Sequence, residues 1–347
     1  MTDDSIDRPS RGRATGRVTM ADVAALSGVS AITVSRALRH PDKVSPETRA
    51  KVQAAIDTLG YVPDLVAGSL ASNQSHIVAA VVPTIGGTIF VDTVKGMADA
   101  LREQGYQLLL GDSGYSLVEE AALVDAFLGR RPNGLILTGV HHEPSVRTRL
   151  AAAKVPVVEV WDVSDRPIDM VVGFSNFRAG YEMTAHLARR GYRKIGFAAG
   201  LTFGDQRSTE RRRGYRTALE EFDLGPERAL EVPEAAEFGR GREALVALLA
   251  RYPDIDAAFF SSDVLAVGAL FECQRRGWPV PDRIAIAGFG DFGIAAETIP
   301  ALTTVRIPGR EIGQRAAGML LDRFAGGGAE PGTVLDLGFE VVARASA

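Results

Sequence analysis

The chain has 347 residues, is 46% hydrophobic and 24% charged, and carries a formal net charge of −4, which is long and apolar enough for a large core and more than one domain. Its single cysteine, Cys273, excludes an internal disulfide, fits a reducing cytoplasm, and reads as a small buried apolar residue. No stretch reaches the roughly 18 uninterrupted apolar residues of a membrane span, which excludes that class.

Residues 1–17 (MTDDSIDRPSRGRATGR) hold no apolar run, so they read as a disordered tail and as neither signal peptide nor membrane anchor. From 18 to 62 the sequence predicts three capped helices. Thr19 is placed to cap the first, with Asp22 closing a capping box, and Val23 and Leu26 are expected to share its buried face. Gly28 permits a turn that a Cβ would strain. Ser30 caps the second helix, on which Val34 and Leu38 point inward. Ser45-Pro46-Glu47 opens a third helix that stops at Gly60, with Val52, Ile56 and Leu59 on its inner face. Ala24, Gly28 and Val34 match the small residue, turn glycine and apolar anchor of a helix-turn-helix.

Any small helical domain contains such caps, so the outward face decides the reading. Ala31 and Ile32 beside Thr33, Ser35 and Arg36 make a poor core but suit thymine methyls, phosphates and a guanine edge. Thr19 and Ser30, at the two helix starts, complete the candidate DNA-contacting set. Between Arg8 and Lys51, nine basic residues stand against three acids in a chain that is otherwise acidic, the footprint of a segment that meets phosphates.

Residues 63–76 form a linker in which Val66, Ala67 and Leu70 share a helical stripe too short to be stable alone, weakened further by Gly68. From Ile77 to the end at 347, apolar runs (IVAAVV, YQLLL, GLILT, VPVVEV, IGFAA, AAFF, IAIAG) alternate with helical stretches beginning near Val91, Glu119, Arg178, Glu210, Arg240 and Val264. Runs of this kind are buried on both faces, predicting parallel sheet covered by helices. Helices ending at Gly105, Gly191 and Gly277 repeat one stop signal, and the repetition predicts two similar α/β halves divided near Val172 to Asn176.

Gly288-Phe289-Gly290-Asp291-Phe292-Gly293 spells a dinucleotide fingerprint, yet Pro300 cuts short the helix that should follow, and no ribose-binding acid sits on a next strand. The segment reads as a strand-to-loop turn at a cleft. His141 and His142 are adjacent rather than helically spaced, and His40, His76 and His186 lack partners at ligand spacing, so no metal or other cofactor is expected. No nucleophile and base stand together, which argues against an enzyme.

The run DVAALSGVSAITVSRALRHPDKVSPETRAKVQAAIDTLGYVPDLVAGSLA resembles the N-terminus of a LacI/GalR-family transcription regulator, and the likeness continues through the chain. It implies a homodimer on double-stranded operator DNA, with Leu70 at the position of a hinge leucine that wedges into the minor groove. It also implies a periplasmic-binding-protein-like core of two Rossmann-like subdomains, with three chain crossings and a ligand cleft between them. By the same resemblance, Phe90 is kept in a loop (PTIGGTIF) where Gly87 and Thr88 replace the family's asparagine and proline. Thr138 ends a strand at the cleft, and the Phe174 ring stacks on the effector. Arg211 becomes the effector arginine, suited to a carboxylate or to sugar hydroxyls, while Arg212 and Arg213 read as a solvated face. Asp263 takes paired hydroxyls or caps its helix. Phe238 and Asp291 complete the cleft.

The strings PVVEVWD around Glu159, VGFSNF, DQR at Asp205 to Arg207, LAVGALFECQRRGWPVPDRIAIAGF and LDLGF resemble the gluconate-responsive (GntR) repressors of that family. This adds Glu159 to the effector candidates and implies a sugar or sugar acid such as gluconate as the effector. Two other classes share parts of the pattern. A sugar-binding transport receptor would need a secretion signal and no DNA-binding head, and a sugar-acid enzyme would need a catalytic dyad.

Overall fold

A computed structural model describes residues 18–62, 75–86, 89–200, 205–232 and 237–347. The chain divides into two units, Met1–Asn73 and Gln74–Ala347, and the division falls inside the segment read as a linker. The predicted tail, the linker stripe with Leu70, and Gly87 and Thr88 lie outside the described residues.

In the first unit, α1 (Met20–Ser27), α2 (Ala31–Arg39) and α3 (Pro46–Leu59) follow the predicted helices closely. Thr19 Oγ1 accepts from the Asp22 amide while Asp22 Oδ2 accepts from the Thr19 amide at 2.8 Å, so two orphan donors of the helix start are satisfied reciprocally. Ser30 and Ser45 accept from the Thr33 and Thr48 amides. Gly28 and Gly60 end their helices at φ 67° and 61°, in the left-handed region. Val23, Val34, Ala37, Val52, Ala55 and Tyr61 form the core. Leu26 departs from expectation, being 53% exposed. The inward stripe of α1 runs Met20, Val23, Ala24 and Ser27, at helical spacing, and Leu26 lies off it.

The second unit contains two six-stranded sheets. The first lobe orders β1 (Ile77–Val82), β2 (Gln107–Asp112), β3 (Gly134–Thr138), β4 (Val157–Val160), β5 (Met170–Gly173) and β11 (Val334–Asp336) as β11-β5-β4-β3-β1-β2, every described pair parallel. The second orders β6 (Ile195–Gly200), β7 (Arg228–Val232), β8 (Ala257–Phe260), β9 (Ala285–Gly290), β10 (Thr303–Arg306) and β12 (Glu340–Val342) as β12-β10-β9-β8-β6-β7. Here the expectation of parallel sheet needs correction, because β12 runs antiparallel to β10. It is a short return strand, three residues long and only partly buried, so the continuous apolar pattern never reached it. The chain passes between the lobes after β5, after β10 and between β11 and β12, which gives the three expected crossings.

Alternate residues of each strand face different cores. Val78 and Ala80 of β1 belong to a cluster that continues from one lobe into the other, and Ala79 and Val81 belong to a cluster confined to the outer face. Helix α4 (Val91–Glu103) and α12 (Gly309–Phe324) cover the inner face of the first lobe, and α5 (Leu117–Leu128) and α6 (Pro144–Ala153) cover its outer face. In the second lobe, α7 (Asn176–Arg189) and α8 (Gln206–Glu221) lie against one face, and α9 (Phe238–Arg251) and α10 (Asp263–Arg276) against the other. The fingerprint-like segment ends in α11 (Gly293–Glu297), a helix of five residues stopped ahead of Pro300. Cys273 is buried on α10.

Three helix pairs cross at facing glycines. A Cβ at Gly180 would strike the Arg211 carbonyl, and one at Gly214 would strike the Phe177 carbonyl, locking α7 on α8. Gly96 and Gly313 do the same for α4 and α12, and Gly241 and Gly268 for α9 and α10. The obstacle in each case is backbone, which cannot swing aside as a side chain can. Gly318 on α12 meets nothing within 4 Å. Gly214→Ala is therefore expected to lower unfolding stability in urea by about 1–3 kcal/mol or more, whereas Gly318→Ala raises it by about 0.4–1 kcal/mol.

Candidate nucleic-acid interface and ligand cavity

On the first unit, Ala31, Ile32, Ser35 and Arg36 line one open groove with Met20 and His40. Ile32 is 71% exposed, and an isolated apolar residue on a surface would mean little. Its position beside Ala31 and Arg36 on the start of one capped helix makes a methyl-bearing, cationic face that fits a major groove. Two other candidates use their hydroxyls internally. Thr33 Oγ1 lies 2.9 Å from Ser30 Oγ, and the Thr19 hydroxyl donates to Asp22 Oδ2 at 2.7 Å. Their amides are taken as well, by Asp22 and Ser30, so methyls are what these residues still offer to DNA.

In the core, a small cavity opens where the carboxyl ends of β1 to β4 face the start of α8, the place where open α/β sheets bind ligands. The first lobe lines it with Ser113, Tyr115, Glu120, Thr138, Gly139, His141 and Asp162, among others, and the second lobe with Gln206 and Arg207. Thr138 does lie in this wall, its Oγ1 donating 3.0 Å to the Val81 carbonyl. Gly139 holds φ 97°, and a Cβ there would sit 3.4 Å from Arg207 Nη1, so the glycine leaves room for the guanidinium. Arg207 Nη2 lies 3.3 Å from Asp205 Oδ1, and its guanidinium lies 5.6 Å from the centre of the Phe90 ring. Burial raises the Asp162 carboxyl above its ordinary range, opposed by the Val163 amide and by the positive Arg207. Burial likewise raises the Tyr115 phenol.

Behind the cavity stands an aromatic block. Phe90 meets Trp161 edge-on at 4.8 Å, Trp161 meets Phe174 at 5.8 Å, and Phe174 meets Phe289 at 6.1 Å. Phe174 is fully buried within it. Arg211 lies there too, one helical turn after Arg207, with its guanidinium 4.2 Å from the Phe289 ring centre and Nη1 donating 2.6 Å to Asn176 Oδ1. Burial pulls its pKa down to about 10. It braces the first crossing, because Asn176 Nδ2 in turn donates to the Trp161 carbonyl.

Four expected effector residues are engaged elsewhere. Glu159 is fully buried and faces His142 and Arg147, with its Oε2 accepting from the Ile168 amide. Asp263 is fully buried, accepting from Thr304 Oγ1 and from the Phe292 amide, and burial pushes its pKa up to about 6. It does not cap its helix either, because Ser262 does. Asp291 is clasped by Arg306 Nε at 2.6 Å and Arg344 Nη2 at 2.7 Å. Phe238 is 45% exposed and tilts against Phe271 on the outer helix pair. Arg212 pairs with Glu227 and Glu231, and Arg213 with Glu210, so both sit in surface ion pairs.

The cavity residues that the sequence reading passed over are Ser113, Tyr115, Glu120, His141, Asp162 and Arg207. Asp162 and Arg207 sat inside the strings PVVEVWD and DQR, so their signal was present. Beside the cavity, His142 Nδ1 lies 2.6 Å from Glu120 Oε1 and Nε2 lies 3.2 Å from Glu159 Oε1. Burial alone would lower the imidazole pKa, but hydrogen bonds and charge from Glu120 and Glu159 outweigh it and raise the value to about 9. Among the described residues no group of three or more metal-binding side chains gathers, and no single helix is long and apolar enough to cross a membrane.

Two family models match the chain. The lacI family of bacterial regulatory proteins covers residues 19–64, and a periplasmic binding protein-like domain covers residues 184–347. The chain is 40% identical over 337 residues to the HTH-type transcriptional regulator GntR of Pseudomonas aeruginosa, spanning 96% of this chain and 97% of that protein. Among solved structures it is similar to a LacI-family transcriptional regulator from Silicibacter pomeroyi, with a TM-score of 0.89 and 34% identity over 95% of this chain and 99% of the other. It is also similar to the lac repressor dimer bound to operator and the anti-inducer ONPF, with a TM-score of 0.80 and 26% identity over 95% and 99%. These relatives are regulators rather than enzymes.

The raised pKa of His142 sets the sign of a pH effect. The imidazolium stabilises the folded core fully below its unfolded pKa of 6.5, and that contribution is lost as pH climbs through about 9. Urea unfolding of the native chain is expected to lose on the order of 3 kcal/mol between neutral pH and pH ~10. His142→Asn should flatten most of that slope.

Proposed function

Because the chain belongs to the LacI family of bacterial transcriptional regulators, we propose that it represses transcription as a homodimer on an operator and lets go when a sugar acid, gluconate first among candidates, fills the core cavity. Sequence-specific DNA binding by the head and a small-molecule-responsive core come with family membership. The acid, the dimer and the direction of control are the new elements.

The observation that carries the acid is Arg207. A guanidinium 8% exposed and facing a cavity needs its charge answered, and among the described residues Asp205, on one side, is its one ion-pair partner. It stands at the start of α8, a sixteen-residue helix with no side-chain cap on its first amides, so the helix dipole also favours an anion. Around it, Asp162, Glu120, Thr138 and Ser113 present hydroxyl acceptors or donors. One fixed cation ringed by such groups matches a polyhydroxy carboxylate, which would give the guanidinium a second counter-charge beside Asp205; a neutral sugar would not. Phe90, Phe174 and Arg211 then serve as the wall and brace that hold Arg207 in place.

The dimer reading draws on two features. One is an exposed apolar groove on the first lobe containing Ile85, Val91 and Leu110, and the other is the similarity to a repressor solved as a dimer on operator. On a near-palindromic site, paired α2 helices would read the major groove through Ala31, Ile32 and Arg36, with Leu70 wedging the centre. Ligand that closes the two lobes would change how the paired cores hold their heads.

A gel shift on the DNA upstream of the protein's own coding region, titrated with gluconate and with glucose, tests this directly. The native chain is expected to bind that duplex over random competitor and to release it with gluconate but not glucose. Arg207→Leu should keep operator binding while shifting the gluconate response at least about tenfold to higher concentration. Equal responses to acid and neutral sugar, or an unchanged response in the variant, would overturn the assignment.

A further inference from the structure

We infer that Glu120 accepts a hydroxyl of the bound acid and that His142 is the positioning residue that holds it there. This rests on the cavity being the effector site. Glu120 sits in the first turn of α5 and lines the cavity while only 5% exposed. Its Oε1 is taken by His142 Nδ1 at 2.6 Å, and its Oε2 has no donor among the described residues. A carboxylate with one oxygen clamped and the other open toward a polar cavity is a preorganised hydroxyl acceptor.

The clamp has its own anchor. The His142 side chain is fully buried, and on its other side Nε2 lies 3.2 Å from Glu159 Oε1 on β4. Glu159 is pinned by the Ile168 amide and by Arg147 Nη2 from α6 at 3.4 Å. Two buried carboxylates therefore flank one imidazolium, one fixed to the sheet and one facing the ligand. Removing the central cation would leave like charges close together at low dielectric and drive Glu120 from its place at the ligand. The other titratable and charged groups of the same wall, Tyr115, His141 and Asp162 from the first lobe and Arg207 from the second, line the cavity itself.

The expected signature is non-additivity. Calorimetric titration of the full-length chain with D-gluconate at pH 7 should show Glu120→Gln and His142→Gln each binding about tenfold or more weakly, with the double variant no weaker than either single one. In the native chain, affinity should fall as pH rises from 7 to 10, and Glu120→Gln should remove that dependence. A ligand-free readout accompanies it. Nitrogen NMR should find the His142 ring doubly protonated at pH 7.5, and losing its proton at lower pH in Glu120→Gln. If His142→Gln does not fold, the native pH profile, Glu120→Gln and the NMR carry the test.

Additive losses, full affinity in Glu120→Gln, or a neutral His142 ring at pH 7.5 would each overturn the inference. Loss of binding in Arg207→Leu together with full affinity in Glu120→Gln would leave the sugar-acid reading standing and remove this one. Failure of the native chain to bind gluconate or related sugar acids would remove both.

Discussion

The guanidinium of Arg207 can stand in the cavity only while the two lobes meet around it. Its backbone belongs to the second lobe, at the start of α8, yet its neighbours Gly139 and Phe90 belong to the first. The meeting is held by aromatic rings on both sides of the seam, with Phe90, Trp161 and Phe174 reaching Phe289, and by the Arg211–Asn176–Trp161 hydrogen-bond chain at the first crossing. A core cluster that runs from one lobe into the other resists small displacements, because close-packed interiors repack in steps rather than deforming continuously. A ligand that bridged Arg207 and the acids of the first lobe, as proposed above, would act on the approach of the two halves.

Keeping charge in so enclosed a place requires that every ion be answered. Arg207 has Asp205, His142 has Glu120 and Glu159, Asp291 has Arg306 and Arg344, and Arg211 has an aromatic face and an amide oxygen. The pKa shifts follow the same logic. Where burial is the dominant cause the acids rise, as at Asp162 and Asp263. Where two carboxylates converge on one base, the base rises instead. The proposed sugar acid would enter as one more member of this charge pattern.

Local chemistry in the sequence located most of the architecture. Caps at Thr19, Ser30 and Ser45 and glycine stops at Gly28, Gly60 and Gly277 are short-range rules, and the structure obeys them. Leu26 was misplaced because a pair of apolar residues three apart does not say which side of a two-turn helix faces in. The antiparallel β12 escaped because its partly buried residues carry no continuous apolar run. The cavity was harder to read, since its wall joins residues from Pro83 to Arg207 that only the fold brings together. Glu159, Asp263 and Asp291 are acids near strand ends, and nothing local reveals their contacts with Arg147, Thr304 and Arg306. Nor does the sequence reveal that the arginine reaching the cavity is Arg207 and that Arg211, one turn later, supports the wall.

What unites head and core is a coupling free energy, which binds both sites to the same factor. Measuring gluconate affinity of the full-length chain by calorimetry, free and saturated with operator duplex, and operator affinity with and without saturating gluconate, tests that coupling most directly. The account predicts that operator weakens gluconate by the same factor by which gluconate weakens operator, on the order of 5- to 150-fold. Identical gluconate affinities with and without operator would contradict it.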